Sequence, residues 1–146
     1  MAEQWNYQSF RKSAIKHYKA CSYLLNISSI KPESKNHVYS DIYYLCGYVI
    51  ECALKYYIMQ SNHYNSVYSK SQLEEMGLKT HCIYQLHTLA SDGSCPISFK
   101  WKDLSSSIKK WNVQVRYDDS NNGFASEIQN IKNDIDLVYN TVFNKF

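Results

Sequence analysis

Residues 42–58, Ile42-Tyr43-Tyr44-Leu45-Cys46-Gly47-Tyr48-Val49-Ile50-Glu51-Cys52-Ala53-Leu54-Lys55-Tyr56-Tyr57-Ile58, decide the fold. Ile42, Leu45, Cys46, Val49, Ile50, Ala53, Leu54, Tyr57 and Ile58 cover nearly the whole circumference of a helix. From Val38 to Gln60 the charged residues are Asp41, Glu51 and Lys55. A helix apolar on most sides is wrapped by other helices or sits at a subunit interface. Three charges make it a poor membrane span. This segment is therefore predicted to be the central helix of a bundle.

On its N-terminal side, Tyr7, Phe10, Ala14, His17, Tyr18, Cys21, Leu24 and Leu25 recur at steps of three and four, with Lys12, Lys16 and Lys19 on the other side. That pattern predicts an amphipathic helix over 4–26, ending in a 28–36 loop where Pro32 cannot continue it. On the C-terminal side, residues 61–80 read as a polar loop with a helical turn at 72–76 closed by Gly77. A third helix is predicted over 81–90, with Ile83, Leu86, Leu89 and Ala90 inward, followed by a Ser91-Asp92-Gly93-Ser94 loop and Pro96. A fourth is predicted over 100–110, with Trp101, Leu104 and Ile108 inward. The stretch Trp111–Tyr117 reads as extended or irregular. The last helix, 124–146, has the cleanest stripe: Phe124, Ile128, Ile131, Ile135, Val138, Val142 and Phe146. The expected architecture is one all-α domain over 1–146, a four- to five-helix up-and-down bundle.

Composition points the same way. The 146 residues are 45% hydrophobic and 20% charged, enough apolar material for a core. Four Gly and two Pro are too few for the many turns of a sandwich or barrel. The net charge of +3 is too mild to mark a nucleic-acid binder by itself. It is uneven, however. Residues 98–117 carry five Lys/Arg against Asp103, whereas residues 118–146 carry five Asp/Glu against Lys132 and Lys145. A basic face opposite an acidic one competes here with ordinary solvated helix surfaces. The five cysteines form no CxxC pair, which reads as reduced thiols. The opening Met-Ala-Glu-Gln-Trp has neither a basic nor an apolar leader region. Together these lead to the expectation of a cytoplasmic protein without a membrane partner.

Two pieces of the chain carry a family resemblance. Gly47-Tyr48-Val49-Ile50-Glu51-Cys52-Ala53-Leu54-Lys55 resembles the "GYxIExALK" signature on the second helix of HEPN domains. Trp111 followed by Arg116-Tyr117 is similar to the tryptophan-then-"RY" stretch that many members carry before their final helix. The order of helices agrees along nearly the whole chain. The resemblance implies a HEPN-like helical bundle that usually forms a homodimer, and a bacterial or archaeal source. It also implies a role in RNA cleavage, toxin–antitoxin pairs or defence against phage. In cleaving members an Arg and a His in an R-x4–6-H motif meet their copies across the dimer.

The chemistry of that motif is only half present. Arg116 supplies a guanidinium able to grip phosphate at two oxygens, but Tyr117 to Gly123 contain no histidine, and none follows His87. A ribonuclease would have to recruit His81 or His87 as its proton carrier. The alternative role for Arg116 is structural. Glu51, on so apolar a helix, needs a cation, either Lys55 at i,i+4 or Arg116, and a Glu51–Lys55–Arg116 cluster meets that need. Tyr117, Trp111 and Trp101 beside Lys109, Lys110 and Arg116 form a candidate surface for stacking bases; the rival reading makes the aromatics core plugs. His63, His81, Cys82 and His87 lack zinc-helix spacing, and no phosphate loop or nucleophile elbow occurs, so neither metal nor cofactor is expected.

The resulting expectation is a dimeric HEPN-like module that binds RNA, a nucleotide or a partner protein encoded nearby, without the standard nuclease motif. Its candidate binding residues are Glu51, Lys55, Trp111, Tyr117, Lys109 and Lys110. Two rivals stand beside it. One is a metal-independent endoribonuclease using Arg116 and His81; the other is a non-catalytic structural partner of a nucleotidyltransferase.

Overall fold

The structure, a computed structural model, describes residues 4–26, 35–114 and 124–146. It is all-α, with six helices among the described residues and one two-stranded ladder. β1 (Gln4–Trp5) leads into α1 (Tyr7–Leu25), and α2 (Lys35–Ser61) follows. β2 (Tyr68–Ser69) runs directly into α3 (Lys70–Glu75). Then come α4 (Ile83–Asp92), a single 3-10 turn (Trp101–Asp103), α5 (Ser106–Lys109) and α6 (Phe124–Lys145).

α2 is the axis of the bundle. From Ile42 to Met59 most of its side chains are buried, because α1, α6 and α4 pack around it. The apolar circumference read from the sequence is thus covered by the chain itself. α6 contributes Ile131, Ile135, Val138 and Val142 to the same core, each fully buried. Phe146, expected inward, is 42% exposed and meets the Tyr57 ring edge-on at the end of the helix.

Trp111 covers the middle of α2. Its indole lies directly on Gly47, where a glycine replaces the side chain that would otherwise occupy that space. Trp111 is 4% exposed, and among the described residues its Nε1 has no hydrogen-bond partner.

Local chemistry sets the remaining boundaries. α1 starts at Tyr7 rather than at 4, because Asn6 caps it: the Asn6 carbonyl oxygen of the side chain accepts from the backbone N–H of Gln8 and Ser9. The residues before it are extended and pair with β2, Gln4 opposite Ser69 and Trp5 opposite Tyr68. Ser69 and Gln72 form a reciprocal capping box that starts α3 two residues earlier than expected. Gly77, at φ +76°, ends that turn in the left-handed region and sends the chain back toward the core through buried Leu78.

The expected fourth helix over 100–110 is broken. Ser105 is the cause: its backbone N–H and its hydroxyl both donate to Asp134 on α6, which pulls the chain out of helical geometry before α5 restarts. Leu104 and Ile108 still point inward, while Trp101 is only partly covered. Among the described residues no helix is long and apolar enough to cross a membrane.

Candidate functional site

Glu51 is 2% exposed, and both of its oxygens are engaged. Lys55 Nζ donates to Oε2 at 3.1 Å, the i,i+4 pair that the sequence suggested. His81 Nδ1 lies 2.9 Å from Oε1. An ionised carboxylate only accepts, so Nδ1–H donates, and among the described residues Nε2 is the ring nitrogen left open. His81 is half exposed, so that nitrogen is within reach of solvent. Lys55 is 4% exposed and also stands 5.5 Å from the centre of the Phe10 ring, a cation over an aromatic face.

This cluster forms the floor of a recessed cavity of about 510 Å³, within the range of small-ligand sites. Tyr48, Glu51, Cys52 and Lys55 present one face of α2 to it, as their spacing of three and four requires. α1 supplies Ser9, Phe10 and Ser13, and β1 supplies Trp5. α3 and the segment after Gly77 supply Lys70, Leu73, Leu78, Lys79 and His81. Among the described residues, four basic side chains therefore line the cavity against one carboxylate, and that carboxylate is already occupied. Lys79 pairs with Glu74 at 3.5 Å, but both are well exposed, and such a pair yields readily to a better anion.

Cys52 faces the same space without being a nucleophile. Burial, reinforced by the neighbouring Glu51 charge, pushes its thiol up to about 12, so it stays protonated at neutral pH. A shallower groove of about 590 Å³ runs along α6, lined mostly by amides and hydroxyls such as Asn133, Asn140 and Thr141. It lacks the concentrated charge of the α1–α2–α3 cavity.

The structure thus brings together Glu51, Lys55 and His81 and separates the other candidates. Lys109 and Lys110 are exposed at the end of α5 and do not line the cavity. Trp111 is packed on α2. Arg116 and Tyr117, and with them the expected Arg116 arm of the Glu51 cluster, lie outside the described residues. His81 precedes α4 rather than belonging to it, since the helix begins at Ile83. His87 is buried within the helix, with Nε2 3.0 Å from the Phe99 carbonyl oxygen, and serves as a tether for the chain beyond α4. Among the described residues no three His, Cys, Asp or Glu side chains converge as metal ligands would.

Lys70, Lys79, Ser9 and Trp5 did not emerge from the sequence as site residues. The available signals were the Ser69-x-x-Gln72 capping pattern and Gly77, which together fix where Lys70 and Lys79 emerge. Comparison with protein-family models, with curated proteins and with solved structures gives no match for this chain.

Proposed function

We propose that this chain is a HEPN-like helical module that binds a phosphate-bearing ligand, RNA or a nucleotide, in the cavity between α1, α2 and α3. One observation carries the reading: Lys55, Lys70, Lys79 and His81 line a recess with aromatic walls, and among the described residues its one lining carboxylate, Glu51, is spent on internal contacts. Cations in a partly dehydrated recess favour phosphate, and rings such as Trp5 and Tyr48 offer surfaces for a base. The HEPN resemblance adds pairing with a second copy and a place in a prokaryotic defence, toxin–antitoxin or stress system. Binding of labelled RNA and of nucleotides tests the site. Lys70→Glu/Lys79→Glu should abolish binding while helical content is unchanged, and full retention would refute it.

A second reading is favoured by the Glu51–His81 contact. A buried carboxylate that fixes an imidazole leaves Nε2 positioned to accept a proton, the requirement for attack of an RNA 2′-hydroxyl on its own phosphate. Cleavage of mixed RNA without metal, lost in His81→Ala, would favour this endoribonuclease; intact RNA at high protein concentration would dismiss it.

A further inference from the structure

The charges that face the cavity differ from those that merely line it, and the difference bears on what the cavity selects. Glu51 has one oxygen on Lys55 and the other on His81, and it is 2% exposed. Its negative charge is therefore answered within the fold and offers a ligand no acceptor. Lys55, 4% exposed, is held by Glu51 and covered by the Phe10 ring. What an incoming ligand meets is Lys70, Lys79 and the open edge of His81. All three come from the 70–81 stretch that α3 and the Gly77 turn fold over the recess.

We infer that the cavity selects a terminal phosphate monoester over an internal phosphodiester. This rests on the phosphate-binding reading above and deepens it. A monoester carries close to two negative charges at neutral pH and three free oxygens, whereas a diester in a chain carries one charge and two. Two ammonium groups, those of Lys70 and Lys79, match the former better, since each can pair with its own oxygen. A diester also needs room for a chain leaving on both sides, and α1 closes one wall of this cavity with Ser9, Phe10 and Ser13. Trp5 and Tyr48 also line the cavity and offer rings against which a base attached to the phosphate can stack.

The probes are adenosine 5′-monophosphate, adenosine, and the dinucleotide adenylyl-3′,5′-adenosine without a terminal phosphate, each titrated by calorimetry against the full chain. The monophosphate should bind at least about tenfold more tightly than the dinucleotide, the scale of one added charge-assisted contact. Lys70→Ala/Lys79→Ala should erase that preference, and inorganic phosphate should compete with the monophosphate in the native protein. Equal affinity for monophosphate and dinucleotide would overturn the selectivity while leaving the site itself standing. Failure of all three probes and of longer RNA to bind would overturn the site as well.

Discussion

The backbone of Gly47 lies against the Trp111 indole so closely that a Cβ at residue 47 would fall 2.0 Å from Trp111 Cε2. The glycine in the middle of a long helix weakens that helix by about 1 kcal/mol relative to alanine. Burying the large indole offsets this. The Gly47-Tyr48 start of the motif on α2 and the tryptophan far along the chain are therefore one packing unit.

Gly47→Ala should destabilise the protein despite its better helix propensity. A rigid ring in a closed core cannot move aside cheaply, and overpacking of this kind costs about 1–3 kcal/mol. In a Trp5→Phe/Trp101→Phe background, where Trp111 is the remaining fluorophore, the substitution should also shift emission to the red as the indole is displaced. Trp111→Leu in the Gly47→Ala protein should recover part of the loss. Unchanged urea stability in Gly47→Ala would show that the indole is free to relocate.

Glu51 and Lys55 behave as a buried pair, each costly without the other. Glu51→Leu leaves an ammonium 4% exposed with its partner gone and should lose about 3–5 kcal/mol. Glu51→Leu/Lys55→Met removes both charges at similar volume and should be markedly more stable than the single variant. His81 contributes little to this difference, because half of its side chain already meets water. Urea unfolding of the two variants measures it, and equal losses would mean that the charges are not what makes the position sensitive.

What could be read from the sequence here was what depends on local periodicity. The apolar girth of α2, the stripe of α6 and the Glu51–Lys55 pair all follow from steps of three and four residues. His81 is different: it lies 30 residues from Glu51, and their contact depends on where the Gly77 turn aims the chain. The β1–β2 ladder is two residues long, too short for any alternating pattern to announce it. The break before α5 was hidden for the same reason, since Trp101, Leu104 and Ile108 keep helical spacing while a carboxylate 29 residues away from Ser105 decides otherwise.

Three phenols should set the alkaline limit of the fold. Burial pushes Tyr18, Tyr43 and Tyr57 up to about 12 in each case; hydrogen bonding to Asp136 adds to the effect at Tyr18, and to Cys95 at Tyr57. The unfolded chain releases these protons near pH 10, so the native state binds more protons between about 10 and 12. Stability present below that window is lost as pH rises through it. Ultraviolet difference absorbance should show a group of phenols titrating together with unfolding. Tyr43→Phe should flatten the decline, and an identical alkaline profile in that variant would count against its part in it.

Asp134 poses the corresponding question in acid. It is 4% exposed and receives both the N–H and the hydroxyl of Ser105, contacts that by themselves would favour the charged form. Burial outweighs them, and the carboxyl is held above its ordinary value, with Lys109 pulling it back only in part. The native state therefore takes up this proton at a higher pH than the unfolded chain does. It follows that Asp134 favours folding most below its ordinary value and loses that contribution as pH rises toward its folded-state value. Asp134→Asn keeps an acceptor for Ser105 and has no proton to gain. The stability of the native protein minus that of Asp134→Asn, from urea unfolding across the acid range, should thus grow as pH falls through the window. Asp134→Ala, which strands both Ser105 donors, should be less stable than Asp134→Asn by about 2–3 kcal/mol at every pH, since neither variant titrates there. A difference that shrinks on acidification would mean that the Ser105 hydrogen bonds, and not burial, govern this carboxyl.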